Sequence, residues 1–119
     1  FVGEPTTPSI QEGDLLIVGS GSGNTASLVS NAKTAKAQGA KVATVTMFPE
    51  NKIGSMADAA IRIPGVTEKC AGQGKGSVQS SGSSFEELTW ITYDAIVMDL
   101  MRITKQGDKE LFARHANME

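Results

Sequence analysis

The chain has 119 residues, 39% of them hydrophobic and 20% charged, with a formal net charge of −2. That suits one domain with a real core rather than two, and it offers no basic surface for nucleic acid and no lysine cluster for an acidic membrane. No apolar run reaches the roughly 20 residues that span a bilayer, "FVGEPTTPSI" has neither the basic start nor the apolar middle of a signal peptide, and the single Cys70 predicts a reducing, cytoplasmic setting.

The chain opens on Phe1, and Phe1-Val2-Gly3 reads as the end of a strand, so residues 1–119 are expected to be the C-terminal part of a longer protein. Leu15 to Val18 form a continuous aliphatic run, the pattern of a strand buried on both faces of a parallel sheet. The glycine-serine stretch "GSGSGNT" follows. From Thr25 to Ala37, Leu28, Val29, Ala32 and Ala35 fall at helical spacing, and the alanines let this helix lie close against a sheet. Gly39 is its stop. "KVATVTM", Lys41 to Met47, is β-branched and reads as the next strand. After a polar turn, Ser55 is expected to cap a short helix through Ala60, and "IRIP" to form a third strand. This alternation with short connections predicts an α/β fold with a parallel sheet.

Residues 65–82 are dominated by glycine and serine and keep no periodicity. They read either as a plain surface loop or as a flexible active-site loop, with Lys69 and Lys75 as cations that could face a phosphate. Ser83 or Ser84 next reads as an N-cap, with Glu86 and Glu87 in the first turn, where carboxylates meet the positive end of the helix dipole. The helix is expected to run to about Ile103. Its apolar residues cover more than one face, which predicts a helix central to the core or part of a subunit interface. Residues 105–119 form a tail with a last helix. Cys70 has no histidine nearby and reads as a bystander thiol.

The glycine-serine loop carries the chemistry. A glycine-rich turn between a buried strand and a helix leaves backbone N–H groups pointing out of the helix start, where the dipole also attracts an anion. Hydroxyls of Ser20, Ser22 and Thr25 add directional donors, so the loop predicts a phosphate site. Walker A needs a lysine that "GSGSGNT" lacks, and the G-x-G-x-x-G count from Gly19 ends on Asn24. FMN and a sugar phosphate remain. "SGSGNT" looks like a flavodoxin phosphate loop, but the only Trp and Tyr, Trp90 and Tyr93, are expected to pack in the core rather than bracket a flavin.

Taken with that loop, "VGE.TTP.I", "GDLLI.GSGSG.T.SLV", "GS.FE" and the terminal "HANME" resemble the 6-phospho-3-hexuloisomerase family of sugar isomerase (SIS) domains over nearly the whole chain. The resemblance implies a three-layer αβα sandwich with a parallel sheet, flavodoxin-like in outline, in a tetramer with sites shared between subunits. It implies interconversion of 3-hexulose 6-phosphate and fructose 6-phosphate, the second step of formaldehyde fixation through the ribulose monophosphate pathway, with no metal and no cofactor. By resemblance, Ser20, Gly21, Ser22, Gly23, Asn24 and Thr25 hold the substrate phosphate, Glu86 is the catalytic base, and His115 is a second catalytic group reaching a shared site. Asn24 stands where the family usually has Glu, and Ser80-Ser81 where it has Pro-Met. The family also carries an upstream strand and a second, Gly-Arg-Ser-Gly loop that adds substrate contacts, so residues 1–119 alone are expected to be poorly folded or inactive. Other readings are an isomerase of a related sugar phosphate such as arabinose 5-phosphate, a sugar-phosphate sensor module joined to a DNA-binding domain, and flavodoxin-like electron transfer.

Overall fold

The computed structural model describes residues 8–65, 79 and 82–113. Three parallel strands, β1 (Leu15–Gly19), β2 (Lys41–Thr46) and β3 (Ala59–Arg62), lie side by side in that order. Leu15 pairs with Lys41 and Gly19 with Val45, while Ala43 pairs with Ala59 and Thr46 with Arg62. Helix α1 (Ala26–Ala37) crosses from β1 to β2, and α2 (Ser83–Thr104) and the short α3 (Asp108–Phe112) follow the sheet. This is the expected α/β architecture with a parallel sheet. Among the described residues no helix is long and apolar enough to cross a membrane.

Strand parity assigns the two faces. Leu16, Val18 and Val42 point toward α1, whose Ala32 and Ala35 are fully buried, and with Ala40 and Ile53 they make the first core cluster. Small residues at i and i+3 let the helix backbone approach the strands. A Schellman motif ends α1: Ala40 N–H donates to the Ala35 carbonyl and Gly39 N–H to that of Lys36, with Gly39 at φ +80°. On the other face Val45, Met47 and Ile63 pack with Phe85 of α2, and Phe48 and Tyr93 close this second cluster.

Three expectations are corrected. Leu15 and Ile17 are 57% and 46% exposed, so β1 is not buried on both faces: α2 meets this side of the sheet only at the carboxyl end of the strands, and no described residue covers the rest. Ser55 does not cap a helix to Ala60. It lies inside a single 3₁₀ turn, Gly54–Met56, and its hydroxyl donates to the carbonyls of Asn51 and Glu50, after which the chain extends into β3 from Ala59. Neither Ser83 nor Ser84 is the N-cap of α2; that position is Gly82, at φ +90°, a left-handed conformation that serine adopts poorly.

Of the long apolar helix, only Phe85 and Thr89 are buried. Trp90, Met98, Ile103 and Ile91 are 63–73% exposed, so the face that sequence reading assigned to a core or an interface has no cover among the described residues.

Asp58 joins three elements just before β3. Its carboxylate accepts the Val42 N–H at 2.8 Å, holds Lys36 of α1 at 2.9 Å, and lies 3.6 Å from Lys41. The Val42 N–H bond first, and the Lys36 ammonium second, lower its pKa from the ordinary 3.8 to about 2. The folded state thus prefers the ionised form, so this contribution to stability is complete above about pH 4 and disappears as pH falls toward about 2. Acid titration of unfolding is expected to show this loss in the wild type. In Asp58→Asn the same pH range should show a smaller change.

Candidate active site

The loop from Ser20 to Thr25 is fastened along its inner edge. Ser20 N–H donates to the Val45 carbonyl at 2.9 Å, extending the β1–β2 ladder by one bond. The Gly21 carbonyl accepts two donors, Met47 N–H and Thr46 Oγ1, each at 3.1 Å. Thr46 in turn accepts Asn51 Nδ2 at 2.8 Å, Asn51 Oδ1 accepts Gly54 N–H at 2.7 Å, and Ile53 N–H reaches the Gly23 carbonyl. Gly23 has φ +60°, and the Asn51 carboxamide occupies the place a Cβ would take.

With the carbonyls of Gly21 and Gly23 turned into the protein, the loop presents donors on the other side. Ser20 Oγ accepts Gly23 N–H at 3.1 Å and Ser22 Oγ accepts Asn24 N–H at 3.4 Å, which leaves each hydroxyl proton free to point at an anion. Among the described residues, the N–H groups of Gly21, Ser22 and Thr25 have no acceptor. Thr25 is the N-cap of α1 but makes no side-chain cap bond, and the first turn holds no acidic residue. A helix start is ordinarily satisfied by one or the other; here both places stand open toward a cavity.

That cavity, about 550 Å³, runs from Ser20, Ser22 and Thr25 across to Glu86, Thr89, Trp90 and Tyr93 of α2. The structure therefore brings the loop and Glu86 to one space. It does not bring Asn24 there. Asn24 is exposed, its Oδ1 accepts Lys52 N–H at 3.3 Å, and it lines a separate groove with Lys33. Gly23 lies buried beneath the loop as a backbone element. His115, Cys70, Lys69 and Lys75 lie outside the described residues, as does most of 65–82.

Sequence reading missed the wall formed by Thr89, Trp90 and Tyr93; its placing of Trp90 and Tyr93 in the core holds in part for Tyr93, which packs against the Phe85 cluster, and fails for Trp90. Trp90 is 73% exposed. Tyr93 lies over Gly19, where any Cβ would meet its hydroxyl, and burial pushes its pKa up. The signal was present: 86, 89, 90 and 93 are spaced i, i+3, i+4 and i+7, one face of a helix. Of the two aromatic residues expected to pack in the core, Trp90 stands open at the cavity instead, while Tyr93 packs against the second cluster and lines the cavity as well.

Thr46 offers a test of the fastening. Thr46→Val keeps the shape but leaves Asn51 Nδ2 without its acceptor in a buried setting. We expect a loss of about 1–3 kcal/mol in denaturant titration, with weaker binding of inorganic phosphate.

The model of the SIS domain matches residues 4–88. The chain belongs to the SIS domain family. Its whole length is 42% identical to a 3-hexulose-6-phosphate isomerase of Bacillus subtilis, covering 64% of that protein. It is 40% identical over 117 residues to one from Mycobacterium gastri, covering 98% of this chain and 58% of the relative. A solved structure from Methanococcus jannaschii, of a hypothetical protein for which a molecular function of 3-hexulose-6-phosphate isomerase is inferred, superposes with a TM-score of 0.77 at 32% identity, over 100% of this chain and 62% of that one. This SIS domain chain thus spans about 60% of the length of the relatives it matches.

Proposed function

We propose that the protein is an isomerase interconverting 3-hexulose 6-phosphate and fructose 6-phosphate, working in the ribulose monophosphate pathway. The observation that carries this reading is the placing of Glu86 across a single cavity from the open donors of the Gly-Ser loop. The names of the Bacillus and Mycobacterium relatives support the choice of substrate.

The chemistry follows from that arrangement. The loop binds the phosphate as a handle, and that binding energy holds the reacting carbons beside the base. Glu86 takes the proton from C2 of the 3-ketose, giving a 2,3-enediol, and returns it to C3, while a hydroxyl proton passes from O2 to O3. The product is the 2-ketose, with no net change in atoms or oxidation state. A carboxylate that accepts and then returns a proton suffices. In this reading His115 serves the hydroxyl protons or ring opening, and Ser20, Ser22 and Thr25 bond the phosphate with the backbone of Gly21. Asn24, turned toward Lys52, stays at the edge of the site.

The protein works as a homo-oligomer, a tetramer in this proposal, in which the exposed apolar residues of α2 meet a neighbouring subunit. It acts in the cytoplasm. The test is formation of fructose 6-phosphate from 3-hexulose 6-phosphate by the full protein. Turnover is the expected result. A folded protein that binds fructose 6-phosphate without turning it over would replace the enzyme with a sugar-phosphate sensor.

A further inference from the structure

The wall of the cavity holds a buried hydroxyl that the Gly-Ser loop and Glu86 leave without a role. Thr89 is 8% exposed, and its Oγ1 is the only buried side-chain oxygen or nitrogen among the described residues without a hydrogen-bond partner. Buried hydroxyls are ordinarily bonded, and a helical threonine has an easy solution in the carbonyl four residues back. Thr92 and Thr104 of the same helix both take it, donating to the Leu88 and Leu100 carbonyls at 2.7 Å. Thr89 does not. Its Cγ2 lies toward Gly19, and the residue lines the cavity one turn beyond Glu86, between the base and Tyr93.

We propose that Thr89 is a specificity-determining residue whose hydroxyl, enclosed in the free protein, turns about χ1 to bond a sugar hydroxyl on the carbons between the phosphate and the reacting carbonyl. The position suits that role. The loop recognises the phosphate alone, and Glu86 recognises the carbon that gives up its proton; neither reads the polyol between them. A threonine hydroxyl both donates and accepts, which matches a substrate hydroxyl that does the same. A site hydroxyl left unpaired in the free protein also discriminates against ligands that cannot satisfy it. The inference rests on the sugar-phosphate reading of the cavity and adds to it which part of the substrate α2 recognises.

The experiment compares wild type, Thr89→Val and Thr89→Ser in the full protein, titrating fructose 6-phosphate and inorganic phosphate separately. Thr89→Val keeps the shape and removes an unpartnered polar group, so its thermal stability should equal or exceed that of the wild type. Its affinity for fructose 6-phosphate is expected to fall about five- to tenfold. Its affinity for inorganic phosphate should not change, and Thr89→Ser should restore sugar-phosphate binding. Equal fructose 6-phosphate affinity in Thr89→Val overturns the proposal. So does a parallel loss of phosphate binding, which would mark a structural role under the loop. A wild type that binds fructose 6-phosphate and discriminates through Thr89, yet turns nothing over, would sink the isomerase reading and leave this inference standing. A wild type that binds no fructose 6-phosphate would sink both.

Discussion

Glu86→Gln is expected to lower turnover of 3-hexulose 6-phosphate by about 100-fold or more while leaving fructose 6-phosphate affinity nearly unchanged, since general acid–base groups contribute roughly 10²–10⁴ in rate. The side chain is exposed in the first turn of α2. The substitution keeps its size and removes only the charge that accepts the proton in the proposed mechanism. The lost interaction with the helix dipole is small at an exposed site, about 0.3–1 kcal/mol, so the fold survives. Glu87 supplies an internal control. It is adjacent and carries the same side chain, but its carboxylate accepts Gln79 Nε2 at 3.0 Å and the residue does not line the cavity. Glu87→Gln should retain near wild-type turnover. Steady-state kinetics and fructose 6-phosphate titration on both variants decide the matter: equal losses would remove Glu86 from the role of base.

Gly23→Ala is expected to damage the loop from below. At φ +60° an alanine is strained, and its methyl would take the space of the Asn51 carboxamide. Asn51 would have to leave, which takes one donor from Thr46 Oγ1 and leaves Gly54 N–H without its acceptor. Strain and lost buried hydrogen bonds together predict a loss of about 2–4 kcal/mol and of most binding to inorganic phosphate. Gly13→Ala separates the two causes. Gly13 also has a positive φ, +91°, but nothing lies within 4 Å of its missing Cβ. That variant should lose only the backbone term, about 1 kcal/mol, with phosphate binding intact. Denaturant titration of the pair, followed by phosphate titration, checks both halves. Equal stability in the two variants would mean that Asn51 gives way without cost.

The parallel sheet and the phosphate loop were readable because local patterns determine them. An aliphatic run, a glycine-serine turn, an alanine-bearing helix and a β-branched strand each declare themselves within a few residues. Glu86 could be named from its resemblance to a motif, and the structure brings it to the loop. What escaped depends on three-dimensional packing. Asn51 looks like a turn residue in "PENKIGS", and only the fold shows its amide under Gly23. Ser55 has the right type for a cap, but Asn51 and Glu50 offer its hydroxyl closer carbonyls. Trp90 and Tyr93 belong to a helix apolar on more than one side, so hydropathy cannot say which side meets the sheet and which forms a cavity wall. Helical spacing puts Thr89 on the face of Glu86, but what singles it out is the hydrogen bond it fails to make, which only the structure shows.

The double clamp on the Gly21 carbonyl has a thermodynamic consequence. A loop already held by Thr46, Met47 and Ile53 has little conformational entropy left to lose when an anion arrives. Its donors converge before the ligand does, so association should be rapid and close to a single diffusional step, without a slow isomerisation of the loop. Differences in residence time between one phosphorylated sugar and another would then originate on the α2 side of the cavity, among side chains, while the capture of the phosphate itself stays the same for all of them.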